Sequence, residues 1–234
     1  MDKHDLRQRI WDLLRDQEAA RFPGAHGRIP NFTGAEDAAL LLAKLPEWQS
    51  AHTLKANPDL PQLPVRAFAL QQGKTVYMAV PRLRQQKCFI ELDPERVTGS
   101  ERRAASIKGS FRFGRQVDPH DMPKIDLVVA GSVAVRRDGA RLGKGGGYSD
   151  LEFGLAQELG LVGTWTTIVT TVHPLQLTDM SFPMMQHDIP LDVIVTPAET
   201  IRCKGQYPRP PGILWESLTP EKVDAIPILQ CWRP

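Results

Sequence analysis

The chain is short of the residues that most often announce a chemistry by themselves. Its three cysteines, Cys88, Cys203 and Cys231, lie far apart, are odd in number and never fall in a C-x-x-C spacing. That argues against a disulfide framework and against a zinc site, and makes a reducing compartment the natural home. No run of 18 apolar residues occurs. The opening MDKHDLRQRI is charged from its second residue and has no apolar core of a secretory leader, so a cytoplasmic protein without a membrane anchor is expected. Charge of one sign is lacking too: 29 basic and 27 acidic residues are interspersed for a net +2, with no basic block to footprint nucleic acid or an anionic membrane. There is no G-x-S-x-G and no cysteine/histidine signature, which leaves covalent nucleophilic catalysis unsupported, and no internal repeat is visible.

What is present is globular. Apolar residues make up 41% of the 234 and charged residues 24%, enough to bury the core of a single domain spanning residues 1–234. We expect N-terminal helices within 1–50, a sheet-forming core over 65–200 and a proline-rich tail over 204–234. In KHDLRQRIWDLLRDQEAA, Leu6, Ile10, Leu13 and Leu14 recur at helical spacing, and AEDAALLLAKL (35–45) reads as a second helix. KANPDLPQLP, with three prolines in ten residues, reads as an extended linker. Strands are then expected at 65–71 (VRAFALQ), 75–81, 127–135, 164–172 and 191–197. The run LVVAGSVAV (127–135) is apolar enough for a strand buried on both faces of a parallel sheet. A helix, SDLEFGLAQELG, follows it, and a right-handed β-loop-α-β crossover is expected.

Between that strand and that helix lies RLGKGGGYSD, residues 141–150. A glycine series at the carboxyl end of a strand lets successive backbone N–H groups turn inward, and the next helix aims its partly positive end at the same place. With Lys144 inside the loop, phosphate is the favoured guest, and Asp150 is placed either to cap the helix or to ligate Mg²⁺. The loop matches neither the P-loop nor the dinucleotide pattern, and a mobile loop before a capped helix fits the same letters. Lys3 and Arg7, four apart in the first helix, are like charges near a positive helix end, which costs about 0.2–0.5 kcal/mol. A bound anion would compensate them, and so would the nearby Asp2 and Asp5. His187-Asp188 precedes a strand, where a carboxylate can reach a metal, while His173 is expected to be a partly buried imidazole bonded to backbone.

Taken together, KHDLR, GKTVYMAVPRL, KIDLVVAGSVAVRRDGARLGKGGGYSD and HDIPLDVIVT resemble the 5-formyltetrahydrofolate cyclo-ligases, also called methenyltetrahydrofolate synthetases. The resemblance covers most of residues 65–200 and the first helix. It implies a three-layer α/β/α domain with a central, mostly parallel sheet, and an ATP- and Mg²⁺-dependent reaction. In that reaction the formyl oxygen of 5-formyltetrahydrofolate is phosphorylated and N10 then closes the methenyl bridge, chemistry that rests on positioning and charge neutralisation. It further implies that Lys3 and Arg7 contact ATP together with Arg141, Leu142, Gly143, Lys144, Gly145, Gly146, Gly147, Tyr148 and Ser149. Lys144 and Arg141 would be the catalytic cations, Lys144 and Gly145 to Tyr148 would also meet the folate, and Asp150 and Asp188 would be the Mg²⁺ carboxylates.

The departures are specific. Ser149 and Leu151 stand where the family has tyrosine and often arginine. The segment before residue 75, where the family places a glutamate that grips the pterin ring, contains Asp59 as its only acid. These features, with RIPNFTG, GSVAV and RPPGILW, resemble a divergent branch, the methenyltetrahydrofolate synthetase domain-containing proteins. Animal members of that branch carry an RNA recognition motif after this domain. The sequence in hand ends at Pro234 without one, so no RNA role is carried over. A nucleotide-binding protein that is noncatalytic, or differently specific, remains the alternative to the cyclo-ligase.

Overall fold

The computed structural model describes residues 1–232, so the last two residues of the expected tail lie outside it. Among the described residues ten strands are formed: β1 (Thr53–Ala56), β2 (Thr75–Ala79), β3 (Phe89–Leu92), β4 (Arg115–Val117), β5 (Leu127–Val129), β6 (Ala134–Val135), β7 (Arg141–Leu142), β8 (Thr167–Thr171), β9 (Val193–Val195) and β10 (Thr200–Arg202). The α-helices are α1 (Lys3–Asp16), α2 (Ala35–Leu42), α3 (Pro46–Ser50), α4 (Leu63–Gln71), α5 (Pro94–Val97), α6 (Glu101–Ala104), α7 (Ile107–Phe113), α8 (Tyr148–Glu158), α9 (Pro220–Asp224) and α10 (Pro227–Trp232).

Eight strands make one sheet in the order β10-β9-β8-β5-β1-β2-β3-β4. Its centre is parallel, from β9 through β8, β5 and β1 to β2, while β3, β4 and β10 add antiparallel edges. The architecture is thus α/β with a mixed, mostly parallel sheet between helices, as expected. Side chains alternate across it. Leu54, Ala56, Leu127 and Val129 pack with α2 and α4 on one face, whereas Tyr77, Val128 and Ile168 pack with α8 on the other. A third cluster joins Leu6, Ile10 and Leu14 of α1 to Val133, Ala134 and Leu142.

Three expectations fail for local reasons. Residues 65–71 are helix α4, not strand, with Val65, Arg66, Ala69 and Leu70 buried at helical spacing and Pro64 in the first turn, where a missing N–H costs nothing. The supposed proline linker begins with the last two residues of β1, a central strand, and goes on to a 3-10 turn at Leu60–Gln62 whose first residues include Pro61. The sheet-forming core therefore begins before residue 65. The apolar run 127–135 is not one strand: β5 stops at Val129, and β6 pairs with β7 in a separate hairpin. Burial under α1, rather than sheet pairing, accounts for its apolar letters.

Candidate active site

A cavity of about 600 Å³ opens where β1, β2 and β5 end, lined by Asn57 to Asp59, Ala79 to Arg82 and Gly131. The chain runs from β1 to β2 on one side and from β5 through β8 to β9 on the other, so this is the point where strand order reverses. Such points are the usual ligand crevices of parallel sheets.

Residues 141–150 form one wall. Gly145 and Gly147 have φ of 102° and 65°, left-handed values that a side chain would strain. Gly147 also occupies the N-cap of α8, where no side chain caps the helix. Among the described residues, no protein acceptor meets the backbone N–H groups from Lys144 to Asp150. A row of unused donors at a helix start is an anion site in waiting. Asp150 therefore does not cap α8. Its Oδ1 accepts from Arg141 at 2.5 Å and from the Ile189 N–H at 3.2 Å. Burial by itself would raise the Asp150 carboxyl, but the Arg141 charge and these bonds outweigh it and hold it below the usual carboxylate range.

The remaining cations converge from distant segments. Helix α1 lays Arg7 under the loop, where its Nε donates to the Gly143 carbonyl at 2.7 Å, and Lys3 pairs with Asp188. Asp188 also accepts from the Met185 N–H at 2.6 Å. Arg141, only 2% exposed, sends its remaining donors to the Gly131 carbonyl at 2.8 Å and the Ile189 carbonyl at 3.3 Å. Its geometry is that of a clamp on Asp150 and the loop. Lys144, half-exposed, donates to Asp59 Oδ1 at 2.9 Å. Every residue that the resemblance assigns to ATP, folate or Mg²⁺, namely Lys3, Arg7, Arg141 to Asp150 and Asp188, lines this one cavity. His173, by contrast, accepts from the Leu175 N–H at 3.2 Å in a half-buried turn, the structural role expected of it.

Several lining residues escaped the sequence reading. Asp59 and Asn57 sit on the segment after β1, fixed there by the buried Arg66, which donates to the carbonyls of Asn57, Pro58 and Asp59. The acid supposed to lie in a linker is thus in the cavity wall. Arg82 lines the mouth with φ of 59°. Glu152 lies in the cavity, paired with Lys55 of β1. Behind the loop, a smaller cavity of about 80 Å³ separates it from the tail. There Lys222 donates to the Gly146 carbonyl at 3.1 Å and stands over the Tyr148 ring.

Among the described residues no group of three or more His, Cys, Asp or Glu side chains is placed to hold a metal. Asp150 Oδ2 and Asp188 Oδ1 accept no hydrogen bond from the described residues and belong to the same cavity. Mg²⁺ binds most often through one or two carboxylates plus substrate phosphates. The donor set therefore suits a magnesium ion that arrives with a nucleotide, and does not suit an all-protein cage.

No helix of the described residues is long and apolar enough to cross a membrane. The fold is similar to that of 5,10-methenyltetrahydrofolate synthetase from Aquifex aeolicus, with a TM-score of 0.54 at 19% identity over 88% of this chain and 95% of that one. Methenyltetrahydrofolate synthase domain-containing proteins from Bos taurus and Homo sapiens are 38% and 35% identical to it over 237 residues, across the whole of this chain. The chain spans 62% of the length of each of these relatives. Residues 1–197 match the sequence profile of the 5-formyltetrahydrofolate cyclo-ligase family. The chain belongs to that family.

Proposed function

We propose that this protein is an ATP- and Mg²⁺-dependent cyclo-ligase that converts 5-formyltetrahydrofolate to 5,10-methenyltetrahydrofolate. The observation that carries the reading is the row of unpartnered N–H groups from Lys144 to Asp150, set among Lys3, Arg7 and Lys144 at the carboxyl ends of the parallel strands. These donors suit a triphosphate, and Lys144, the most exposed of the loop's charges, is free to exchange Asp59 for a phosphate oxygen. Arg7 supports the loop from beneath and Arg141 holds Asp150 in place. Asp150 and Asp188 would hold Mg²⁺, whose chemistry is to neutralise charge developing on the transferred phosphoryl group.

The formyl oxygen attacks the terminal phosphorus of ATP, and ADP leaves. N10 then attacks the activated carbon, loses its proton, and phosphate departs with the former formyl oxygen. No step requires a protein nucleophile; the site's work is to bring the two substrates together and exclude water.

A second reading, nucleotide binding without cyclisation, is favoured by one observation. The acid on the 57–59 segment is an aspartate already engaged by Lys144, in place of a longer glutamate. Incubating the purified protein with MgATP and 5-formyltetrahydrofolate, and following the methenyl product by absorbance, decides between them. Product formation that is lost in Lys144→Ala and Asp150→Asn is expected. ATP binding without product would leave the second reading, and absence of ATP binding would overturn both.

A further inference from the structure

The cavity floor holds an ion pair that the phosphate chemistry does not require. Lys55 on β1 and Glu152 on α8 are each 4% exposed, and Lys55 Nζ donates to Glu152 Oε2. Asn57 Nδ2 approaches the same oxygen at 3.4 Å. Asn57 is itself fixed through its Oδ1, which accepts from the Gly131 N–H at 3.0 Å and from the Ser149 hydroxyl at 3.1 Å. Burying two charges costs several kcal/mol per ion, and an apolar pair of similar volume is often at least as stable, so stability is a weak reason for this arrangement.

The second carboxylate oxygen supplies a better one. Glu152 lines the cavity, and its Oε1 has no hydrogen-bond partner among the described residues. Nor is it sealed: the sealed, unpartnered side-chain atoms of the described residues belong to Gln62 and Thr171. A carboxylate oxygen held from one side and open on the other is a preorganised acceptor that repels phosphate. It suits a part of the ligand other than phosphate.

We propose that Glu152 is a specificity residue of this site, whose Oε1 accepts a hydrogen bond from an exocyclic amine on the edge of the bound substrate. Lys55 and Asn57 are the positioning residues that hold it. The identity of that substrate rests on the reduced-folate reading above, since a reduced pterin carries such a donor on one edge.

Binding of 5-formyltetrahydrofolate, of its 2-desamino analogue and of MgATP is measured by calorimetry for the wild type, Glu152→Gln and the double variant Lys55→Met/Glu152→Gln. The double variant removes the buried ammonium that the single change leaves unpaired, and so keeps the test alive if the single variant misfolds. A charge-assisted hydrogen bond predicts that either variant weakens the folate by about 10- to 100-fold while MgATP affinity stays within about twofold. Loss of the amine should penalise the wild type by a similar factor and leave the variants indifferent. Folate affinity unchanged in both variants, or an equal penalty for the analogue in all three proteins, overturns the assignment of Glu152 alone. A wild type that binds MgATP and neither folate overturns the folate reading and this inference with it.

Discussion

Arg66 offers the sharpest test of how the site is built. Its guanidinium is 1% exposed inside α4, donating through Nε to the Ala105 carbonyl at 2.8 Å and through its two terminal nitrogens to the carbonyls of Asn57, Asp59 (3.1 Å) and Pro58 (3.2 Å). Arg66→Met fills most of the volume and donates nothing. A buried acceptor left without a partner costs about 1–3 kcal/mol. The carbonyls nearest the cavity can recruit water, and removing a buried charge returns part of its desolvation cost, so a net loss of about 3–5 kcal/mol is expected. At about 2–4 °C per kcal/mol for a chain of this size, the melting temperature should fall by about 6–20 °C. The 57–59 segment carries the partners of Ser149 and Lys144, so substrate binding should suffer even where the variant is folded. Arg66→Lys, which keeps a charge and reaches fewer carbonyls, should fall between the two. A scanning-calorimetry melt of Arg66→Met within about 2 °C of wild type, below the shift that even one lost bond predicts, would refute the argument that Arg66 fixes this segment.

Three further outcomes are expected. Gly147→Ala, at φ of 65° and with the added carbon 2.9 Å from Lys222 Nζ, should cost about 1–2 kcal/mol and weaken MgATP binding; Gly160→Ala, at φ of 64° in open space, should cost similar stability and leave binding intact. Lys144→Ala should lower MgATP affinity by at least about tenfold while shifting the melt little, since its pair with Asp59 is partly exposed and worth at most about 1 kcal/mol. For Lys222, burial lowers the folded-state pKa, with Asp150 opposing, so between the folded and unfolded values the unfolded chain binds more protons and stability rises with pH. Urea unfolding at pH 7.5 and pH 10 should therefore show wild type gaining on Lys222→Met at the higher pH; a parallel trend in both proteins would count against a desolvated ammonium at Gly146.

Much of the architecture was legible because it rests on long, periodic or strongly biased segments. The stripe of Leu6, Ile10 and Leu14 marks α1, and the apolar runs at 75–79, 167–171 and 193–195 are strands of the sheet. Prolines misled. Pro58, Pro61 and Pro64 read as chain breakers, yet Pro61 is among the first residues of a 3-10 turn and Pro64 sits in the first turn of α4, positions where proline is favoured. The edge strands β3 and β4 and the short helices α5 to α7 carry little periodicity of their own and take their form from packing on the parallel centre.

The site divides along the same line. Residues contiguous in a motif, 141 to 150, and those repeated in the first helix were visible because spacing within one element survives in one dimension. Lys55, Asn57, Asp59 and Glu152 meet only through the register of β1 beside β5 and the seating of α8 on the sheet. In two cases a buried charged residue at the site also erased the signal of its own element. A central strand should read as unbroken apolar letters, and β1 reads TLKA because Lys55 faces α8, where it pairs with Glu152. The buried face of α8 should read as leucine and phenylalanine, and Glu152 interrupts it between Leu151 and Phe153. A charged residue at a position that the pattern reserves for an apolar one lowers confidence in the element when read from sequence, and marks the site when seen in the fold. In this chain the two breaks are partners in a single ion pair. That is why the element hardest to find, β1, carries the lysine that positions the acid we assign to substrate recognition.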